Sequence, residues 1–322
     1  MKNYLSLLTA LFFSASVTQL SAQDKTVLRF GHFPNITHAQ GVIAHAMTRQ
    51  GKGWFEERLG TNVEIQWFTY NAGPSAMEAI FAGSLDLTYV GPSPALNAHF
   101  KSNGEEIRII AGAANGGAAL VVKPGGGVEK PADFRGKKIA TPQLGNTQDI
   151  SCRAWLKAQG FKVTQTGGDV IVLPTSNPDQ LTALQKGDVA GVWTVEPWVT
   201  RLEREAQGKV LVEETDIITT WLASSVKFLD EQKDLAKKIA AAHAELTKWI
   251  QDNPEEAQKL LIAELKEETR TDFSLEVVAP AWKRIKFTSV VSIELIAKSV
   301  KDAVEAGFLK GSTDTSKLVV IP

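Results

Sequence analysis

Ala79-Ile80-Phe81-Ala82-Gly83-Ser84-Leu85, running on to Tyr89-Val90-Gly91-Pro92, can be laid over Ala183-Leu184-Gln185-Lys186-Gly187-Asp188-Val189, running on to Trp193-Thr194-Val195-Glu196-Pro197. Each stretch closes a helical pattern at a glycine, enters a short apolar run and stops at a proline-bearing turn. That is the punctuation of a βα unit. Glycine takes the left-handed cap at little cost, and proline opens the next helix because its missing N–H would have no partner there. The two stretches lie 104 positions apart. Either they are a chance likeness between two βα units, or they are matching parts of two lobes of similar build. In the second case each lobe presents a strand carboxyl end and a helix start, where open α/β sheets bind ligands, and two facing lobes make a cleft.

Outward from these stretches the chain alternates. Short runs rich in Val, Ile and aromatics, bounded by Gly, Pro or Asn, occupy 27–33, 63–68, 85–91, 108–113, 118–123, 138–142, 169–174, 189–195, 209–213 and 218–224, and read as strands. Between them Ala39, Val42, Ile43, Ala46 and Met47 show the i, i+3, i+4, i+7 spacing of one apolar helix stripe. The alternation predicts βαβ units and largely parallel, doubly wound sheets. From Phe228 to Gly307 the pattern is almost unbroken helix, stopped and restarted at Asn253-Pro254, and only 318–321 resembles a strand. The C-terminal part is thus expected to form a helical layer over a sheet already built.

Composition removes several classes of function. Lys and Arg number 35 against 36 Asp and Glu, with no long basic block, so the electrostatic footprint of nucleic-acid binding is missing. A single cysteine, Cys152, excludes an internal disulfide framework or a thiolate zinc site. Met1-Lys2-Asn3, an apolar stretch to Val17 and Leu20-Ser21-Ala22 before polar Gln23-Asp24 have the layout of an export signal over 1–22, too short to span a bilayer. The mature chain is expected to be exported and soluble, and no nearby cysteine indicates a lipid anchor.

Candidate site residues sit where strands hand over to helices. The loop His32-Phe33-Pro34-Asn35-Ile36-Thr37-His38-Ala39-Gln40 is rich in neutral hydrogen-bonding side chains, which are either cap and turn residues or ligand contacts. Gly91-Pro92-Ser93-Pro94-Ala95 resembles a nucleophile elbow, but Ala95 replaces its last glycine and only His243, in a helical pattern, follows as a base. Ser93 is better placed as part of a polar nest at a helix start than as a hydrolase nucleophile. Ala114-Asn115-Gly116-Gly117 is either a hairpin turn or a hinge between lobes. Asn146 and Thr147 begin a helix whose N–H groups could take an oxyanion, with Asp149 competing in its first turn. Trp193 offers a stacking surface and Glu196 the one carboxylate expected near the cleft; either could equally be a packing or capping residue. No phosphate-binding loop is present, and none of the five histidines pairs at the i, i+4 spacing of a helical metal site. No cofactor or metal is expected.

The first-strand block Leu28-Arg29-Phe30-Gly31-His32-Phe33-Pro34-Asn35-Ile36-Thr37-His38-Ala39-Gln40, the block Ala132-Asp133-Phe134-Arg135-Gly136-Lys137-Lys138-Ile139-Ala140 and the Glu196-Pro197-Trp198 turn resemble the aliphatic sulfonate, taurine and nitrate branch of periplasmic solute-binding proteins of ABC importers. The resemblance covers essentially the whole mature chain. It implies a two-lobe clamp of the type II α/β class, each lobe a doubly wound, mostly parallel sheet, with lobe 1 formed by 23–114 plus 225–322 and lobe 2 by 115–224. It also implies a non-enzymatic, monomeric, periplasmic protein that delivers a small oxyanionic solute to a membrane permease. Carried over to matching positions, the ligand shell would be Asn35, Thr37, His38, Ser93, Asn115, Gly116, Asn146, Thr147, Trp193 and Glu196. The same fold includes pyrimidine-forming enzymes of thiamine synthesis, whose cysteine-rich iron motif cannot be built with Cys152 alone; a pyrimidine-binding transport relative remains an alternative, as do taurine and nitrate as ligands and a membrane sensor as partner.

Overall fold

A computed structural model describes residues 25–322; the export-signal segment 1–22 lies outside the described residues. The strands are β1 Thr26–His32, β2 Val63–Thr69, β3 Leu87–Val90, β4 Ile107–Gly116, β5 Ala118–Val122, β6 Lys138–Thr141, β7 Ile171–Pro174, β8 Gly191–Val195, β9 Lys209–Glu214, β10 Ile218–Ser225 and β11 Ile285–Phe287. The helices are α1 Ala39–Arg49, α2 Trp54–Leu59, α3 Gly73–Phe81, α4 Pro92–Lys101, α5 Thr147–Ala158, α6 Asn177–Lys186, α7 Trp198–Glu205, α8 Val226–Glu231, α9 Lys233–Asp252, α10 Pro254–Thr269, α11 Leu275–Lys283 and α12 Ile293–Ala306.

Two sheets form. The first runs β11-β4-β10-β3-β1-β2 and the second β7-β6-β8-β5-β9. Their centres are alike: β2-β1-β3 and β7-β6-β8 are parallel triplets, so the likeness between the two opening stretches is one of topology. Gly83 (φ 67°) and Gly187 (φ 78°) occupy left-handed backbone at the matching helix ends, where any side chain would be strained. The sheets are less parallel than periodicity suggests, for a physical reason. The chain leaves the first sheet on β4 and enters the second on β5, then returns on β9 and β10, and these crossing strands pair antiparallel with their neighbours. Gly116 and Gly117, both at positive φ, therefore join two sheets and do not close a hairpin between β4 and β5.

Helices cover both faces of each sheet. In the first, Leu28, Phe30, Tyr89, Ile239, Leu246 and Leu261 fill one core, while Val90, Leu96, Ile109, Trp221 and Ile296 fill that of the opposite face. In the second, Leu120, Phe134, Cys152 and Trp193 pack on one side and Val121, Ala140, Leu184 and Val199 on the other. At roughly 1.5–3 kcal/mol per large side chain buried, these cores dominate the favourable side of folding.

The helical layer is interrupted. β11 lies within the stretch read as helix and pairs with the end of β4; with three residues it is too short to show a period of two. Residues 318–321 make only an isolated bridge from Ile109 to Val319. In addition, α12 packs against α4 of the first sheet and α5 of the second, and Lys157 Nζ donates to the Glu305 and Ala306 carbonyls at 3.0 Å.

Candidate functional site

Between the two sheets lies a small cavity of about 20 Å3, walled by Phe33, Asn35, Thr37, His38, Asn71, Ala72, Gly73, Gly91, Pro94, Pro142, Asn146, Thr147, Gln148, Asn177, Val195 and Thr219. Topology explains the set. In a parallel unit every strand ends and every helix begins on the same edge, so the residues just after β1, β2, β3, β6 and β7 come together. The first residues or N-caps of α3 (Ala72), α4 (Gly91), α5 (Asn146) and α6 (Asn177) all reach this cavity. Each helix start carries unpaired N–H groups and about half a positive charge. The first turns of α1, α3 and α4 hold no acid, and Asp149 at the start of α5 is paired with buried Arg153 at 3.0 Å.

None of the sixteen wall residues is Asp, Glu, Lys or Arg. His38 is neutral, because burial, reinforced by His32, holds its imidazole well below the ordinary value; its Nδ1 is buried without a partner and its ring stacks on Phe33 at 4.3 Å. Asn35 Oδ1 accepts from Trp198 Nε1 at 2.9 Å and from Asn177 Nδ2 at 3.4 Å. That fixes its carboxamide between the two sheets and leaves its own NH2 as a donor. Asn146 Oδ1 caps α5 by accepting from the Asp149 amide at 2.8 Å, and Thr147 Oγ1 accepts from the Ser93 amide at 3.4 Å. The result is a donor-rich, uncharged enclosure.

Of the ten positions singled out in the sequence, Asn35, Thr37, His38, Asn146 and Thr147 line this cavity. Ser93 is buried beside it and is not a wall residue; His243 is no base for it, being held by Tyr89 Oη at 2.9 Å and the Gly112 carbonyl at 2.7 Å. The other four lie elsewhere. Trp193 points into the core of the second sheet, against Trp155 at 5.6 Å, and donates to Glu214 at 2.8 Å; it sits mid-strand, two residues short of the carboxyl end where Val195 reaches the cavity. Glu196 is fully buried and is not a wall residue of the cavity: its carboxylate accepts from the Thr200 amide at 3.0 Å, Thr200 Oγ1 at 2.9 Å and Arg284 Nη1 at 2.9 Å. Burial raises its pKa above the ordinary value, against the pull of Arg284 and Thr200. Asn115 and Gly116 are engaged by β11 along the end of β4, and a Cβ on Gly116 would meet the Arg284 carbonyl at 2.7 Å.

Asn71, Gly73, Gln148, Asn177 and Thr219 were not singled out. Asn71-Ala72-Gly73-Pro74 and Ser176-Asn177-Pro178 carry the same strand-end, helix-start punctuation as the chosen loops, so that signal could have found them. Gln148 stands in the first turn of the helix that Asn146 and Thr147 already mark; Thr219, within β10, carries no such signal.

Two α/β halves with like strand orders, and helix starts from both turned on one small cavity without a charged side chain, define a protein of the periplasmic solute-binding fold. The chain belongs to the NMT1-like family, which matches residues 21–264. It is 30% identical over 230 residues to the taurine-binding periplasmic protein of Escherichia coli (strain K12), spanning 71% of this chain and 67% of that one. Among solved structures, the alkanesulfonate-binding protein of Xanthomonas axonopodis pv. citri bound to MOPS superposes with a TM-score of 0.72 at 18% identity, covering 90% of this chain and 96% of the other. The periplasmic nitrate-binding protein of Synechocystis PCC 6803 does so with 0.72 at 15% identity, covering 92% and 86%.

Proposed function

We propose that this chain is the solute-capturing component of an ABC importer, closing its cleft on a small oxyanionic organic solute, foremost an aliphatic sulfonate. In this reading it is exported by the segment 1–22 and acts as a monomer in the periplasm. It closes lobe 1 against lobe 2, with the second boundary moved from 225 back to the start of β10, because Ile218–Ser225 is a strand of the first sheet, and presents the closed form to a membrane permease. One observation carries the proposal: four helix starts and a set of carboxamides and hydroxyls, drawn from both sheets, meet on a cavity without a charged side chain. A monoanion with several oxygens can take many such donors at once, and helix dipoles stabilise its charge without a cation.

A volume of about 20 Å3 accommodates little more than a water molecule, so the lobes must part to admit a sulfonate, as hinge-closing binding proteins do. No carboxylate lines the wall, and Glu196 is committed to Arg284 and Thr200. A ligand ammonium would therefore be met by amide and hydroxyl oxygens. A calorimetric and thermal-shift panel of ethanesulfonate, longer alkanesulfonates, taurine, nitrate and an aminopyrimidine tests the reading. Sulfonates are expected to bind and raise the melting temperature; binding of nitrate or the aminopyrimidine with no response to any sulfonate would overturn it.

A further inference from the structure

Away from the ligand cavity, three side chains from distant parts of the chain aim single donor atoms at one point. His32 ends β1, His45 lies on α1 and Glu268 is in the last turn of α10, 223 positions from His45. His32 Nε2 and His45 Nδ1 are 3.1 Å apart, His45 Nδ1 and Glu268 Oε1 3.0 Å, and His32 Nε2 and Glu268 Oε1 3.1 Å. Glu264 Oε1, one turn earlier on α10, is also 3.0 Å from His45 Nδ1. The side chains of His32, Glu264 and Glu268 are 0%, 2% and 2% exposed. None of these residues lines the ligand cavity.

Hydrogen bonding alone does not satisfy this arrangement. His45 Nδ1 faces three partners with at most one proton, while the outer oxygen of Glu268, Oε2, is buried with no partner at all. Among the described residues Arg49 is the one permanently charged cation that reaches these two buried carboxylates, its Nε 2.8 Å from Glu264 Oε1 and its side chain half exposed. A dication on the three converging atoms answers the crowding at His45 Nδ1 and the excess of negative charge. An ion about 2.0–2.1 Å from each donor of such a triangle would sit roughly 1 Å out of its plane, as zinc bonded to two imidazoles and a carboxylate requires. The rings are already oriented. Trp67 stacks on His45 at 5.4 Å and meets His32 edge-on at 5.6 Å, and Thr69 Oγ1 donates to Glu268 Oε1 at 3.0 Å, the kind of outer support that fixes metal ligands.

We propose that His32, His45 and Glu268 form a structural site for a divalent transition-metal ion of the zinc type, stapling helix α10 to β1 and α1. Such an ion would bind the folded chain and not the unfolded one, and so would add to stability.

Tag-free full-length protein, stripped with a chelator and dialysed, is titrated with Zn2+ alone by calorimetry and followed by thermal melting, with Mg2+ as control. The expected result is one Zn2+ per chain, a melting temperature raised by several degrees, no response to Mg2+, and visible absorption of a tetrahedral site when Co2+ replaces Zn2+. Glu268→Gln keeps the shape of the side chain and should weaken Zn2+ at least about tenfold. His45→Gln, at the rim, should do the same and decides the matter if Glu268→Gln does not fold. Both variants should retain metal-free solute binding. Substoichiometric Zn2+ uptake by the unsubstituted protein, or uptake unaltered in both variants, would overturn the proposal and leave the cluster as a proton-sharing contact.

Discussion

His243 shows what one residue's surroundings decide. The sequence offers it as a possible base; the structure buries it wholly, with Nε2 donating to the Gly112 carbonyl and Nδ1 accepting from Tyr89 Oη. Burial lowers its pKa from 6.5 to about 4. Between those values the unfolded chain binds a proton that the folded chain refuses, so the contribution of the neutral ring is complete above pH 6.5 and is lost as pH falls towards about 4. The loss amounts to on the order of 3 kcal/mol at most. Urea denaturation across this range should show His243→Gln less stable than the unsubstituted protein near neutrality but with a shallower decline in acid; parallel declines would remove His243 as the cause. Glu196 and Trp193 teach a similar lesson. Their residue types suit a binding site, and a carboxylate beside a proline turn is a reasonable cleft candidate. Which side of β8 Trp193 faces, and the fact that Arg284 sits 88 positions from Glu196 in sequence yet 2.9 Å away in space, are not properties of the local string.

Elements were more legible than side-chain directions. Ten strands were read within a few residues, because β-branched runs bounded by Gly and Pro are a local signal; β11 was not, because its three residues earn their conformation only from β4. The helix starts were legible for the same reason, and they supply the cavity wall. Gly91 tests that idea. It is the N-cap of α4 in extended backbone that alanine also adopts, yet a Cβ there would lie 2.3 Å from Thr147 Oγ1 at the start of α5. With the lobes apart Gly91→Ala should cost less than about 1 kcal/mol. With them closed, overpacking of about 1–3 kcal/mol should weaken solute binding roughly tenfold or more. Calorimetry against a sulfonate alongside a melting curve separates the two effects, and unaltered affinity would mean that α4 and α5 do not close on the ligand.

At the scale of the whole molecule the C-terminal segment does more than cover a sheet. Arg284, just before β11, reaches Glu196 at 2.9 Å, Glu203 at 2.7 Å and Glu213 at 3.2 Å, all on the second-sheet side. Although burial opposes its charge, Glu203 and Glu196 hold the guanidinium protonated still more firmly than usual. Arg284→Ala strands the buried Glu196 carboxylate. Removing one partner of a fully buried pair costs about 3–5 kcal/mol; since Arg284 is about a quarter exposed, roughly 2–3 kcal/mol is expected. Chemical denaturation should show that loss, and adding Glu196→Gln in the same chain should recover part of it; a loss below about 0.5 kcal/mol would make the contact a surface pair without consequence.

The sequence by itself determined the α/β alternation, the twofold likeness of its units and the polar, uncharged character of the strand-end loops, because those are carried by local conformational preference and composition. Only the tertiary structure decided that five of the ten singled-out residues wall one cavity, that Glu196 belongs to Arg284, and that His32, His45 and Glu268 converge. Each of those facts depends on which face of a strand or helix is turned inward once distant segments pack, and burial, not sequence spacing, settles it.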